Sequence, residues 1–183
     1  ENSNQIPKKE FQELIFSWKQ VEATYILSSL DEEYFELPWY LDMFHGNNED
    51  IKAQLDRILS GDSNIENALY KNSHKTINAL EYVLFSHDLN SPRIKSAALI
   101  ISGSIENRLI EILNGYKTYQ EKFVSNRKIA SSHLLNALVE SSYKLKEWRI
   151  GDVAGLTRKF KEKANNKRAE YHISGNSTLA IRA

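Results

Sequence analysis

Only seven glycines and three prolines punctuate this chain of 183 residues, about half their combined frequency in ordinary globular proteins. β-Sandwiches, barrels and glycine-rich phosphate-binding folds all need more turn residues than that. The composition therefore points to an all-α protein; the expected fold is an up-and-down helical bundle. A chain of this length can bury a sizeable core, as one compact domain or as two small bundles.

Apolar residues recur in steps of three and four at Phe11, Leu14, Ile15, Trp18, Val21, Tyr25 and Ile26, which predicts an amphipathic helix from about Lys9 to Ser29. Pro38 is expected to keep the aromatic segment Tyr34–Tyr40 out of a regular helix, and Gly46-Asn47-Asn48 to break the chain again. Ile51, Leu55, Ile58 and Leu59 give a short helix stopped at Gly61. Ser63-Asn64-Ile65-Glu66 has the form of a capping box and predicts a helix running to Phe85. Ser91-Pro92 opens a long helix through Ile94, Ile101, Ile105, Leu109, Ile112, Tyr116 and Phe123, weakened locally by Gly103 and Gly115. A further helix is expected from Ile129 to Trp148, ended by Gly151. Ser177–Ala183 reads as the first turns of another, capped by Ser174 or Ser177, so the chain is expected to continue beyond it. The expected organisation is a tether stub at 1–8, a helical bundle at 9–156, and a basic linker with the start of a further helical element at 157–183.

Formal charge is zero, from 24 basic and 24 acidic side chains, so nothing in the whole-chain balance draws it to nucleic acid. Residues 158–168 hold six basic side chains against Glu162 alone, but with Phe160 as their only aromatic they read as a solvated face. Cysteine is absent, which removes disulfides, thiolate nucleophiles and cysteine metal sites. No apolar run is long enough to span a bilayer. The first residue is Glu1, and the polar stretch Glu1–Gln5 reads as what remains of a tether after removal of an N-terminal segment.

Two carboxylates stand out because they lie on apolar faces. Glu81 is the only charge within Thr76–Ser86, a stretch apolar on nearly every side, so it is expected to be buried with a polar partner from another helix. Glu13, on the outer face of the first helix, is expected to be exposed. Asn78 and His74 precede Glu81 by three and seven residues, which would align all three on one helical stripe. Glu22 lies inside the apolar stripe of the first helix, between Trp18 and Tyr25. Two inward carboxylates suit a hard cation held by oxygen, or equally hydrogen bonds to Tyr or Arg across the core. His45, His74, His87, His133 and His172 form no zinc-type pair, and no nucleophile elbow or dinucleotide fingerprint is present.

Thr76-Ile77-Asn78-Ala79-Leu80-Glu81-Tyr82, with its apolar continuation to Phe85, resembles the signature helix of the imelysin family, Gly-x-His-x-x-Glu followed by Tyr. Phe11–Tyr25 is similar to the family's first helix, Glu147–Leu156 to the linker after a later helix, and Glu170–Ser177 to the Glu-aromatic-x-x-Ser-x-x-Ser segment opening its second bundle. The resemblance implies an imelysin-like fold of two helical bundles with a site between them. It also implies a protein of the bacterial periplasm or outer membrane, often lipid-anchored. Family members are filed as metallopeptidases and several are linked to uptake of iron or other metals. The candidate ligand-binding residues are then Asn78, Glu81, Glu170 and Ser174, together with Glu22 from the apolar stripe of the first helix. The metal candidates are Glu81 and His74, for a divalent ion such as iron or zinc.

The chain departs from the signature at two of its three positions: Thr76 replaces the Gly and Asn78 the His. An amide is a much poorer ligand for zinc or iron than imidazole. The leading expectation is therefore a non-catalytic protein binding a metal ion or small ligand. The alternatives are a metallopeptidase using Glu81 with His74 or another ligand, and a structural or protein-interaction module.

Overall fold

A computed structural model describes residues 7–43 and 49–183. The expected break at Gly46-Asn47-Asn48 and the tether at Glu1–Gln5 lie outside the described residues. In chain order the helices are α1 (Lys8–Ala23), α2 (Leu27–Leu30), α3 (Leu37–Leu41), α4 (Ile51–Ser60), α5 (Ile65–Ala68), α6 (Ile77–Ser86), α7 (Pro92–Ser125), α8 (Arg127–Lys144), α9 (Asp152–Ala154) and α10 (Ser177–Arg182). Short 3₁₀ turns and a π-helical turn at Leu145–Gly151 join them. No strand occurs among the described residues: the protein is all-α. No helix among them is long and apolar enough to cross a membrane.

The described residues divide into two compact units, each built from discontinuous stretches: residues 7–8, 37–43 and 49–111, and residues 9–36 with 112–183. α7 runs through both, changing unit at Glu111/Ile112.

In the first unit α4 packs on α6, and the core is Leu41, Leu55, Leu59, Leu69, Ile77, Leu80, Val83, Ile94 and Ile101. Two arginines of α7 fasten neighbouring elements by their carbonyls. Arg93 donates through Nε and Nη2 to Ile58 O, in the last turn of α4, and through Nη1 to Ser63 O. Arg108 donates to Tyr40 O, Lys75 O and Asn72 Oδ1, and stacks over the Tyr40 ring. Each guanidinium thereby satisfies carbonyls that helix or turn geometry leaves open.

In the second unit Phe11, Ile15 and Trp18 of α1 are buried with Leu27, Ile112, Ala130, Tyr171 and Ala180. Gly115 marks the close approach of α7 to the 27–34 segment: a Cβ there would fall 2.6 Å from Tyr34 Cε1 and 3.0 Å from Leu27 Cδ1. Gly103, in the first unit, has nothing within 4 Å. The two helical glycines, alike in sequence, should therefore respond oppositely to alanine. Gly103→Ala is expected to stabilise by roughly 0.5–1 kcal/mol from the lost glycine entropy. Gly115→Ala is expected to cost about 1–3 kcal/mol by overpacking against Tyr34. Urea unfolding of the two variants checks both signs.

Several boundaries differ from the sequence expectation. The first helix does not reach Ser29; it stops at Ala23, and Tyr25 donates its hydroxyl to Tyr34 O at 2.7 Å before α2 resumes. Pro38 sits as the second residue of α3, inside a helix after all, because a first turn has no use for its missing N–H. The helix expected from Ser63 to Phe85 is divided. Asn64, not Ser63, caps α5 by accepting the Asn67 N–H at 3.1 Å, and a 3₁₀ turn at Asn72–Lys75 intervenes before α6. Asn is at least as good a cap as Ser, so the start moves by one residue. α8 begins two residues early, at an Asn126 cap, and its continuation to Gly151 is π-helical. α10 is preceded by Asn176 rather than by a capping Ser174 or Ser177.

Candidate functional site

The signature residues lie in the first unit. Thr76 is extended (φ −102°, ψ 168°) and forms the N-cap of α6, its Oγ1 accepting the Ala79 N–H at 3.2 Å. Asn78, one turn before Glu81 on α6, accepts the Met43 N–H through Oδ1 at 3.1 Å. Glu81 is 3% exposed and is not without a partner. Tyr82 donates its hydroxyl to Asp56 Oδ1 at 2.8 Å; burial, reinforced by that carboxylate, pushes its pKa up to about 12.

The expected stripe of His74, Asn78 and Glu81 does not exist as one helical face. Thr76 begins the helix, so His74 falls in the preceding 3₁₀ turn and follows a different direction. Its Nε2–H donates to Gln54 Oε1 at 2.9 Å, an oxygen also held by Lys71 Nζ. Among the described residues no three His, Asp or Glu side chains converge as a metal-holding group. The donor set offered by the signature, an amide already engaged by a backbone N–H and one carboxylate, does not fit a transition-metal centre.

His74 is 2% exposed and its Nδ1 has no hydrogen-bond partner among the described residues. Burial, followed by the neighbouring Lys71, lowers its pKa below the ordinary histidine range. The folded state thus resists a proton that the unfolded chain accepts near pH 6.5. Stability is complete above that value and is lost as pH falls below it, at no more than about 1.4 kcal/mol per pH unit from this one group. Unfolding in urea at pH 7.5 and pH 5 should show the wild type losing more stability than His74→Gln. Equal losses would remove His74 from the acid response.

Glu22 and Glu170 meet in the second unit, together with two cations that sequence reasoning passed over. Lys19 Nζ donates to Glu170 Oε1 at 2.5 Å and to Glu22 Oε2 at 2.8 Å. Arg149 donates through Nε to Glu170 Oε2 at 2.8 Å and through Nη2 to Glu22 Oε2 at 2.7 Å. The four form a closed ring of alternating sign, formally neutral, with Lys19 and Glu170 each showing 3% of their side-chain surface. α1 supplies Lys19 and Glu22 at an i, i+3 spacing, the π-helical turn supplies Arg149, and the segment before α10 supplies Glu170. A π-turn re-aims side chains relative to an α-helix, and here it brings Arg149 onto both carboxylates. Lys19 also lies 5.5 Å from the centre of the Tyr171 ring, which packs edge-on against Phe11. Ser174 donates to Tyr171 O and accepts from Asn176 Nδ2, whose Oδ1 accepts from Gln12 Nε2. Ser174 therefore serves the turn that holds Glu170 and Tyr171.

The sequence did contain a signal for Lys19: it lies on the stripe Ile15-x-x-x-Lys19-x-x-Glu22, as inward as the glutamate. Arg149 had no comparable signal, because helical periodicity does not extend through a π-turn.

The family model for imelysin, a peptidase family, matches residues 6–183. The chain belongs to the imelysin family. No curated protein and no solved structure matches it significantly. The all-α architecture is accordingly an imelysin-like fold. Three of the segments that resemble imelysins, 11–25, 147–156 and 170–177, supply the ion ring, and the fourth supplies Asn78 and Glu81.

Proposed function

We propose that this imelysin-family chain is a non-catalytic ligand-binding protein of the bacterial cell envelope, lipid-anchored and serving the uptake of iron or another metal. The observation that carries the non-catalytic part is Asn78. At the signature's imidazole position stands an amide whose oxygen already accepts the Met43 N–H. Peptidase chemistry of this kind needs a water activated by a firmly held metal. One carboxylate and a weak amide donor do not hold zinc or ferrous iron against water. Asn78 and Glu81 suit a ligand that brings its own hydrogen-bonding groups, such as a chelated or hydrated cation. Family membership is what supports the envelope location and the link to metal uptake.

The test runs two measurements in parallel on the full chain. Calorimetry with zinc and ferrous iron is expected to give weak binding, and an unfolded protein substrate is expected to survive with either metal present. Robust metal-dependent cleavage, abolished by Glu81→Gln, would overturn the reading in favour of a peptidase.

A further inference from the structure

The segment after α9 combines an ordered backbone with an uncompensated charge. The chain folds back on itself through four main-chain bonds: Leu156 N–H to Gly151 O, Glu162 N–H to Gly155 O, Lys163 N–H to Phe160 O, and Asn165 N–H to Val153 O, all 2.8–2.9 Å. Gly155 makes the reversal possible. Its φ is +70°, and a Cβ would come within 2.7 Å of Ala164 N and 2.8 Å of Lys163 N. Glu162 is left-handed too, at φ 59°, a conformation that a non-glycine residue keeps only where its surroundings hold it.

On this frame Arg158, Lys159, Lys161, Lys163 and Lys167 are exposed and Arg168 is half-buried. None of the six forms an ion pair among the described residues. In a chain with 24 charges of each sign this is a local excess, whereas solvated faces generally interleave the two signs. Beside them Leu156 is 76% exposed. Phe160 is no platform for a stacked base, since Arg168 and Lys159 lie over its ring at 4.1 and 5.1 Å.

We propose that residues 156–168 form a docking surface for an anionic lipid bilayer, with the cations on headgroup phosphates and Leu156 entering the interface. Clustered basic residues with an adjacent apolar side chain are what an anionic leaflet attracts. Order in the loop means that little conformational freedom is lost on docking. The inference shares the envelope location with the functional reading above but does not depend on what Asn78 and Glu81 bind.

Co-sedimentation of the full chain with vesicles of equal parts phosphatidylglycerol and phosphatidylcholine tests it, against vesicles of phosphatidylcholine alone. Binding is expected only to the anionic vesicles, and is expected to be lost at about 0.5 M salt. Each basic residue near such a surface is worth about fivefold in affinity, so Lys161→Glu, Lys163→Glu and Lys167→Glu together should lose about a hundredfold or more. Their exposure means that the thermal midpoint should be unchanged. Reversing the exposed Lys95, Lys117 and Lys128 instead alters net charge equally and should cost far less. Failure to bind, equal binding to both vesicles, an equal loss in the control, or tighter binding to duplex DNA than to vesicles would each overturn the proposal. None of these outcomes bears on the cleavage assay, so the two readings fail separately.

Discussion

Arg149→Met is expected to lower the unfolding free energy of the second unit by about 3–5 kcal/mol, the usual consequence of removing one partner from a buried ion cluster. Arg149 supplies two of the four contacts that close the ring, one to each carboxylate. Without it Glu22 and Glu170 lose one of the two cations that hold them, where Glu170 shows only 3% of its side chain to water. The loss should be nearly independent of ionic strength, because mobile ions do not reach groups this enclosed. By contrast the Lys9–Glu13 pair, 3.7 Å apart with both partners largely exposed, should contribute at most about 1 kcal/mol, and that part should fade with salt. Urea unfolding followed by tryptophan fluorescence measures this, since Trp18 and Trp148 belong to the second unit. Replacing all four ring members together, Lys19→Met, Glu22→Leu, Arg149→Met and Glu170→Leu, should recover most of the loss, because desolvation of the ions is relieved along with their attraction. A single Arg149→Met variant within about 1 kcal/mol of wild type would show that the ring does not hold the unit together.

That pair of outcomes also indicates what the ring is for. Its net stability against an apolar replacement is small, yet its geometry is demanding: contacts form between residues 151, 127 and 21 positions apart in the chain. A buried cluster of this kind penalises every arrangement in which α1, the π-turn and the 170 segment fail to meet. Imelysin-like packing is thereby specified by charge as well as by shape.

How far the sequence revealed this depends on the length of the signal. α4 and α7 were legible almost to the residue, because apolar periodicity continues for whole turns and Gly61 and Pro92 mark real boundaries. Single-residue features misled. Pro38 lies where a first turn tolerates it, and the Ser63 capping box yields to Asn64, since local rules cannot rank two adjacent caps. The helix inferred between them and Phe85 failed for a tertiary reason: Arg108 and Gln54 hold the 72–75 turn from outside. At the site, the burial of Glu81 and the exposure of Glu13 followed from which face each occupies. The alignment of His74 with Glu81 assumed an uninterrupted helix, and Thr76 ends that assumption. Of the partners of Glu22, Arg149 was out of reach, because nothing local in a sequence reports a contact 127 residues away.

Restoring the signature should restore metal affinity. Asn78→His with Thr76→Gly is expected to raise affinity for zinc or ferrous iron by at least about tenfold over the unmodified chain, since an imidazole one turn before a buried carboxylate is a far better donor set than an amide. The substitutions act on two defined contacts. Thr76→Gly removes the hydroxyl that accepts the Ala79 N–H, and because glycine is itself an acceptable cap this should cost only a few tenths of a kcal/mol. Asn78→His frees the Met43 N–H from its acceptor, which should cost about 1–3 kcal/mol unless an imidazole nitrogen takes that bond. The two demands on the imidazole compete: the nitrogen that faces Met43 cannot also face a metal. Metal should therefore stabilise the double variant against urea more than it stabilises the unmodified chain, with the gain growing as ligand concentration rises above the dissociation constant. Adding Glu81→Gln to the double variant should abolish that gain, because the carboxylate is the second ligand. Calorimetry and urea unfolding with and without metal read these outcomes independently. If the double variant binds no better than the unmodified chain, Asn78 is not what separates this protein from metal-holding imelysins. If instead the unmodified chain already binds tightly and Glu81→Gln leaves that binding intact, the metal is held elsewhere and the signature helix has lost its role altogether.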